Sequence, residues 1–449
     1  MSAAINWRRV GAPQVWLTAA AVALSLLMVA GVLMLVIVNG MAFFWPRDVA
    51  RIELGDGEVI IGEIVARERI PDASTGGPAS GGPRYRIQLK VGNRDVYGLD
   101  YRWVPEADIV SLTYPENITV FERQAWGNLY GIVQEVTGDG YVVQLADGRT
   151  RFVRAEDVVD SWRPNAMSTV QKLLAYVVNV WEFLTGEPRE SNTEGGIFPA
   201  LFGTVLMVLL MSLAAVPLGA LAALFLREYA GEGPLVSAVR VAVNNLAGVP
   251  SIVYGVFGLG FFVYGVGGTI DQLFFAERLP TPTFGTGGLL WASLTMALLT
   301  VPVVIVATEE GLAAIPASQR EASLALGATR WETVRYVILP RAMPGVITGA
   351  ILAVARAAGE VAPLMLTGVV KVAPALPIDG NPPFVHLYRK FMHLGFHIYD
   401  AGFQSPNVEA ARPMVFATTL VLLALITGLN LSAVVLRHRL RQRYQSSAF

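Results

Sequence analysis

A chain of 449 residues in which 53% are hydrophobic and only 15% charged departs from soluble domains, which carry about 25% charged residues. The formal net charge of -1 argues against a general nucleic-acid binder, and the absence of cysteine excludes disulfide scaffolds, thiolate metal sites and cysteine nucleophiles. Arginine does nearly all the cationic work, since Lys90, Lys172, Lys371 and Lys390 are the only lysines.

A bilayer-spanning helix needs about 20 mostly apolar residues. Six stretches qualify: Val15–Phe44, Ile197–Leu226, Val249–Gly267, Leu289–Thr308, Gly345–Val370 and Pro413–Leu436. Arg8 and Arg9 precede the first, as in a signal peptide. Its apolar run from Val15 to Val38 is too long for that, and no small-residue cleavage site follows, so residues 1–45 read as a short terminus and an anchored span.

Residues 46–165 read as a β-rich insertion. Ile52 to Ile61 is a hairpin signal, with Gly55-Asp56-Gly57 between alternating apolar runs; Gly138-Asp139-Gly140 and Asp147-Gly148 give similar turns. Tyr85–Leu89 leading to Val104–Val110 matches Tyr141–Leu145 leading to Val153–Val159, an internal repeat. Two small barrel-like modules of one ancestry, SH3-like in kind, would produce this pattern. Residues 73–83, rich in Gly, Pro and Ser, read as a flexible loop. Residues 166–196 form a linker in which Thr169–Thr185 reads as a helix with an apolar face lying on the membrane surface.

Six spans put both termini on one side. That side holds Arg8, Arg9, Arg227, Arg320, Arg330, Arg335, Arg341, Arg437, Arg439, Arg441 and Arg443, including the basic tail 437–449. The opposite short loops hold Arg278, Lys371, Arg389, Lys390 and Arg412. The positive-inside rule places both termini in the cytoplasm and the insertion outside it. The expected fold is an all-α polytopic membrane bundle of six transmembrane helices, its core at 197–436, with a small β-rich extracytoplasmic domain inserted.

Residues 309–340, between the fourth and fifth spans, are too short and too charged to cross. Ser318 with Glu321 reads as a capping box that starts a helix near Gln319, and Gly327 as its left-handed end. Thr329 with Glu332 is a second capping box, and Pro340 is expected to stop the second helix. A DNA-reading helix-turn-helix is at odds with a position between two spans. A structural connector and a docking element for a cytoplasmic partner both fit the pattern.

The order and spacing of Glu321-Ala322-Ser323, Gly327, Val337 and Leu339-Pro340 resemble the EAA signature of ABC importer permeases, with Ser323 and Val337 replacing alanine and isoleucine. The resemblance implies an ABC importer permease fold and a coupling helix seated on an ATP-binding subunit, with Glu321, Ala322, Ser323, Gly327, Ala328, Thr329, Leu339 and Pro340 at the contact. Three further stretches resemble phosphate-importer permeases: Gly195–Thr204, Gly248–Gly255 and Arg356–Leu364. The last is similar to the A-type subunit, with Val361 at a position where threonine is usual. This implies a phosphate importer in the bacterial inner membrane: a transport subunit and not an enzyme, assembled with a C-type permease, two ATPase subunits and an extracytoplasmic phosphate-binding protein. ATP and Mg would be bound by the ATPase. The chain itself has no P-loop, and no glycine is followed by lysine.

Arg356 and Glu360 are the expected substrate-path residues, one turn apart in an apolar span. A charge there costs at least about 2.5–3.5 kcal/mol, so it faces an aqueous path or pairs within the bundle. An anion contact and a purely structural ion pair both satisfy that constraint. A guanidinium suits phosphate because its planar fork donates to two oxygens. His393 and His397 are one helical turn apart with His386 upstream; ordinary loop histidines are the reading preferred to a metal site, and no metal is expected. Asn244 and Asn245 serve either packing or a polar path, and Glu309 and Glu310 cap the cytoplasmic edge of the fourth span. Two other function classes remain: a permease for another oxyanion, and a membrane-anchored sensor or scaffold built on the β insertion.

Overall fold

A computed structural model describes residues 12–70, 84–231, 233–405 and 408–445. Arg8, Arg9 and the expected loop at 73–83 lie outside the described residues, as do the side chains of Arg441 and Arg443. Among the described residues, six helical segments are long and apolar enough to cross a membrane: Gln14–Ala42, Phe198–Tyr229, Ser251–Phe274, Leu289–Ala313, Arg330–Gly359 and Val408–Arg439.

Helix α1 (Ala12–Ala42) leads into two five-stranded sheets. The first comprises β1 (Val49–Leu54), β2 (Val59–Arg69), β3 (Tyr85–Lys90), β4 (Tyr101–Pro105) and β5 (Ile109–Thr113), with the short helix α2 (Arg94–Tyr97) between β3 and β4. The second comprises β6 (Ile118–Arg123), β7 (Leu129–Thr137), β8 (Gly140–Gln144), β9 (Thr150–Arg154) and β10 (Val158–Trp162). Their strand orders, β4-β3-β2-β1-β5 and β9-β8-β7-β6-β10, are the same topology, and a 3-10 turn precedes the fifth strand in each. The sequence repeat thus corresponds to equivalent strands, β3 with β8 and β5 with β10. Val49 and Ile61 of one sheet share a buried cluster with Ile118, Val120 and Tyr130 of the other, so the two pack as one body.

Helix α3 (Thr169–Thr185) has the ends expected from the sequence, and Ser168 with Gln171 forms its capping box. A tight hairpin, β11 (Pro188–Arg189) and β12 (Glu194–Gly195), then enters α4 (Phe198–Leu224). After α5 (Pro234–Leu246), the third span is built from α6 (Ser251–Phe257), a π-helical stretch at Gly258–Gly267 and α7 (Gly268–Phe274). The rest is α8 (Leu289–Ala313), α9 (Ala317–Ala325), α10 (Arg330–Glu332), α11 (Leu339–Gly359), α12 (Ala362–Thr367), α13 (Leu394–Tyr399) and α14 (Val408–Gln445).

The bundle centres on α8, the most buried of the six spans, which packs against α4 and α11. Without a hydrophobic driving force between helices in lipid, close packing needs small residues at the contacts. A methyl group added at Gly311 would lie 2.9 Å from the Gly345 Cα, and one at Gly219 would lie 2.7 Å from the Val304 side chain. Helix α14 packs on α11, and α1 packs on α14 at the outside of the bundle.

Three local expectations are corrected. Ser318 does not cap α9: Pro316, extended at ψ 141°, turns the chain into the helix earlier and leaves Ser318 inside it. Pro340 does not stop a helix either. A π-helical turn over Thr333–Ile338 widens the backbone ahead of the ring, and the chain runs through Pro340 into α11. The fifth span therefore starts earlier than Gly345, and its helix ends at Gly359 instead of reaching Val370. Glu360 is extended (φ −79°, ψ 137°), and Pro363 opens the separate helix α12.

The Gly311–Gly345 contact predicts that Gly345→Val lowers the unfolding temperature of purified protein, since overpacking costs about 1–3 kcal/mol. Gly31, with no atom within 4 Å of an added Cβ, is the control. Gly31→Ala should leave that temperature unchanged or raise it.

Candidate functional site

The bundle has two chemically distinct ends. Arg227, Arg320, Arg330, Arg335 and Arg341 gather where α4 and α8 finish and α11 starts. The β sheets sit at the other end, joined to the bundle by several polar contacts. Gln88 donates to Glu409 at 2.7 Å, Arg94 pairs with Glu190 at 2.7 Å, and Arg189 pairs with Glu122. Asn192 donates to the Lys371 carbonyl at 2.9 Å and to Asp400 at 3.2 Å, and Lys371 pairs with Asp400 at 3.0 Å. The first sheet is therefore tied directly to α14, and both sheets are tied through the β11–β12 hairpin to the segment between α11 and α14, a connection that local sequence patterns do not reveal.

At the arginine-rich end, α9 and α10 form a compact hook. Gly327 takes φ +86°, a conformation glycine adopts without strain, and reverses the chain between the two helices. Thr329 caps α10: its hydroxyl accepts from the Glu332 N–H at 3.2 Å, and Glu332 accepts in return from the Thr329 N–H at 2.7 Å. The Ser323 hydroxyl lies 2.9 Å from that of Thr333, which pins α9 to the start of the fifth span. Arg320, which sequence reasoning used only as a topology marker, holds the hook to the bundle. It pairs with Glu228 at 2.8 Å and donates to the Ile315 and Leu312 carbonyls at 2.8 and 3.1 Å.

The eight residues expected at a coupling contact divide between the hook's surface and its anchorage. Glu321, Ala322, Gly327 and Thr329 are exposed, while Ser323 and Ala328 are half-buried. Leu339 packs against the cluster of Leu312, Ile338 and Ala342, and Pro340 is half-buried beside it. The hook also exposes apolar side chains that the sequence reading passed over: Leu326 is 89% exposed and Trp331 58%. Both lie within the capped pattern, but the side they face is set by the fold and leaves no local signal in the sequence.

Arg356 lies in the last turn of α11. Its neighbours Ala357 and Ala358 are buried in the same cluster as Met296 and Ala297 in the first half of α8, so Arg356 is carried at the level of the bundle core with its own side chain partly exposed. The Nη1 group donates to the Ala247 carbonyl at 3.5 Å, and Nε is 3.9 Å from a Glu360 carboxylate oxygen. Both contacts are long, and the Arg356 side chain stays 30% exposed. The site lies between two helix C-termini, those of α5 at Ala247 and of α11 at Glu360, whose partial negative charge favours a cation. Asn244 and Asn245 are exposed on the last turn of α5. Tyr254 ties α6 to α5 by donating to the Leu246 carbonyl at 2.7 Å.

The histidines are not surface loop residues. His386, His393 and His397 are all buried, and His386 contacts Asp379 at 2.9 Å. Burial pushes His393 down to about 3 and His397 to about 4, so both rings are neutral near pH 7. Glu309 lies 3.4 Å from Arg240 on α5.

The family described as binding-protein-dependent transport system inner membrane component matches residues 215–442, which include Arg356, Glu360 and the entire hook. The probable ABC transporter permease protein YqgI of Bacillus subtilis is 33% identical over 239 residues, covering 51% of this chain and 74% of that protein. The phosphate transport system permease protein PstA of Mycobacterium leprae is 34% identical over 267 residues, covering 58% of this chain and 78% of that one. Both β sheets lie before the family-matched residues.

The Arg320 clamp carries a prediction. Arg320→Ala strands Glu228, whose side chain is only 10% exposed, and breaking such a pair costs about 3–5 kcal/mol when fully buried, less at this partial exposure. Limited proteolysis should then cut within 316–330 faster than in the parent protein. Adding Glu228→Gln should recover part of the resistance, and equal cutting of parent and Arg320→Ala protein would show that the clamp does not hold the hook.

Proposed function

The chain belongs to the family of inner membrane components of binding-protein-dependent transport systems, and on that premise we propose that it is the A-type permease of an ATP-driven importer of inorganic phosphate. It is a multi-pass membrane permease component of an ABC importer, a transport component and not an enzyme. Phosphate is the substrate named for its PstA relative, and one observation in this chain supports carrying it over. Arg356 lies beside the buried core, 30% exposed, and its polar contacts among the described residues are two long ones, so its fork retains donors for an oxyanion. Glu360 and the two helix ends offset part of its charge, which favours release as well as binding.

The arginine-rich end faces the cytoplasm in this reading, by the positive-inside rule, and the β sheets lie outside it. The hook of α9 and α10 seats on an ATPase subunit through Glu321, Ala322, Gly327 and Thr329, with Leu326 and Trp331 supplying buried apolar area. Ser323, Ala328, Leu339 and Pro340 fix the hook to the fifth span, so that movement of the ATPase is passed along α11 toward Arg356. The complex holds a C-type permease, two ATPase subunits that bind ATP and Mg, and an extracytoplasmic phosphate-binding protein. The substrate route lies between the two permeases, and the β sheets serve docking or regulation.

The assignment of Arg356 is tested by phosphate uptake normalised to assembled complex. Arg356→Gln should cut uptake at least tenfold, and Arg356→Lys should restore part of it, since an ammonium keeps the charge and loses the fork. If the residue only clasps Glu360, Arg356→Gln with Glu360→Gln will transport at the parent rate. That result would overturn the anion contact.

A further inference from the structure

The sequence shows that α3 has an apolar face, and the structure shows which way it points. Val170, Leu173, Leu174, Val177, Val178 and Trp181 are each more than half exposed. The inward stripe instead holds Lys172, Tyr176, Asn179 and Phe183. Lys172 pairs with Asp48 at 2.5 Å, Asn179 donates to the Phe44 carbonyl at 3.0 Å, and Phe183 packs edge-on against Phe44. A helix that already packs Tyr176, Val180 and Phe183 inward and still leaves six large apolar side chains outward is not seated for water.

The surroundings identify its environment. Polar contacts fix α3 beside the end of α1, a helix whose apolar side chains are almost all exposed, as lipid-facing residues are. The outward face of α3 continues that surface. Trp45 and Trp181 lie at this junction, the depth at which amphipathic rings collect in membranes. Between the two helices runs an apolar groove of about 520 Å³, lined by Met41, Ala42, Trp45, Leu173 and Tyr176 with Arg47 at its edge. No hydrogen bond or ion pair holds the Arg47 side chain among the described residues, and the neighbouring Asp48 pairs with Lys172.

We propose that α3 lies flat in the membrane interface and that this groove binds one phospholipid, an acyl chain between α1 and α3 and the headgroup phosphate at Arg47. Apolar walls select the chain, and the free guanidinium matches a phosphodiester, to which it donates two hydrogen bonds. The bound lipid and the flat helix fix the height of the β sheets above the bilayer, since only a short 3-10 turn at Pro164–Ala166 separates β10 from α3. The proposal rests on the membrane placement of α1 and not on the phosphate reading, so its failure would leave that reading untouched.

The absence of cysteine makes the test direct. Single Leu174→Cys, Val178→Cys and Trp181→Cys chains carry a nitroxide in the assembled complex, in vesicles of phosphatidylcholine and phosphatidylglycerol. Val136→Cys on β7, 68% exposed in the parent, is the water-facing control. Collisions with oxygen should exceed those with a nickel chelate at the three α3 sites, and the reverse should hold at the control. A control-like profile on α3 would put the helix in water, and shielding from both reagents would mean that a protein covers it; either result overturns the proposal. Native mass spectrometry tests the groove separately. Leu173→Asp and Arg47→Glu complexes should each retain one phospholipid fewer than the parent, and equal retention would overturn the lipid site.

Discussion

The close approach of α8 and α11 at Gly311 and Gly345 sets the geometry on which the rest of the molecule depends. With no side chain on either residue, the two backbones touch, and α11 is held against the most buried helix of the bundle. Helix α11 begins where the hook ends and stops one turn after Arg356, a rigid element of 21 residues, about 30 Å long. A shift of the hook is therefore a shift of the rod that carries Arg356. The π-helical turn ahead of Pro340 lies at the root of this rod, where a widened backbone tolerates a change of direction without breaking the helix.

Charge placement follows the same economy of contacts. A guanidinium fully paired inside a bundle would be neutralised and silent, and one left bare would be too costly to bury. Arg356 lies between these limits: two helix ends and one carboxylate stabilise it, none at close range. At the opposite pole, Arg320 is fully engaged, with a carboxylate and two carbonyls, as befits an anchor. The same residue type is thus tightly bound in one place and loosely held in the other, a difference visible in the contact distances.

Much of this was legible in the sequence wherever the determining interactions are local. The ends of α3, the Thr329–Glu332 capping box, the left-handed Gly327 and the repeated strand pattern all depend on residues a few positions apart. The failures have a common cause. Pro340 reads as a stop only if the preceding turn is α-helical, and Ser318 reads as a cap only if Pro316 does not start the helix first. The i, i+4 spacing of Arg356 and Glu360 suggested one helical face, yet the helix ends between them, so their contact is long. The apolar face of α3 was legible from its periodicity, but the tie from Asn192 to Asp400 depends on chain segments far apart in sequence, and periodicity carries no record of it. Leu326 and Trp331 were passed over because exposure, unlike apolarity, is a property of the fold.

The proposed function makes this chain part of the membrane path of an ATP-driven phosphate importer. The most direct test is uptake of labelled phosphate into proteoliposomes containing the chain, its partner permease, the ATPase subunits and the phosphate-binding protein, with sulfate as competitor. The account predicts accumulation of phosphate that requires both ATP hydrolysis and the binding protein and is unaffected by excess sulfate. Uptake that continues without nucleotide, or that sulfate abolishes while phosphate does not compete, would contradict it.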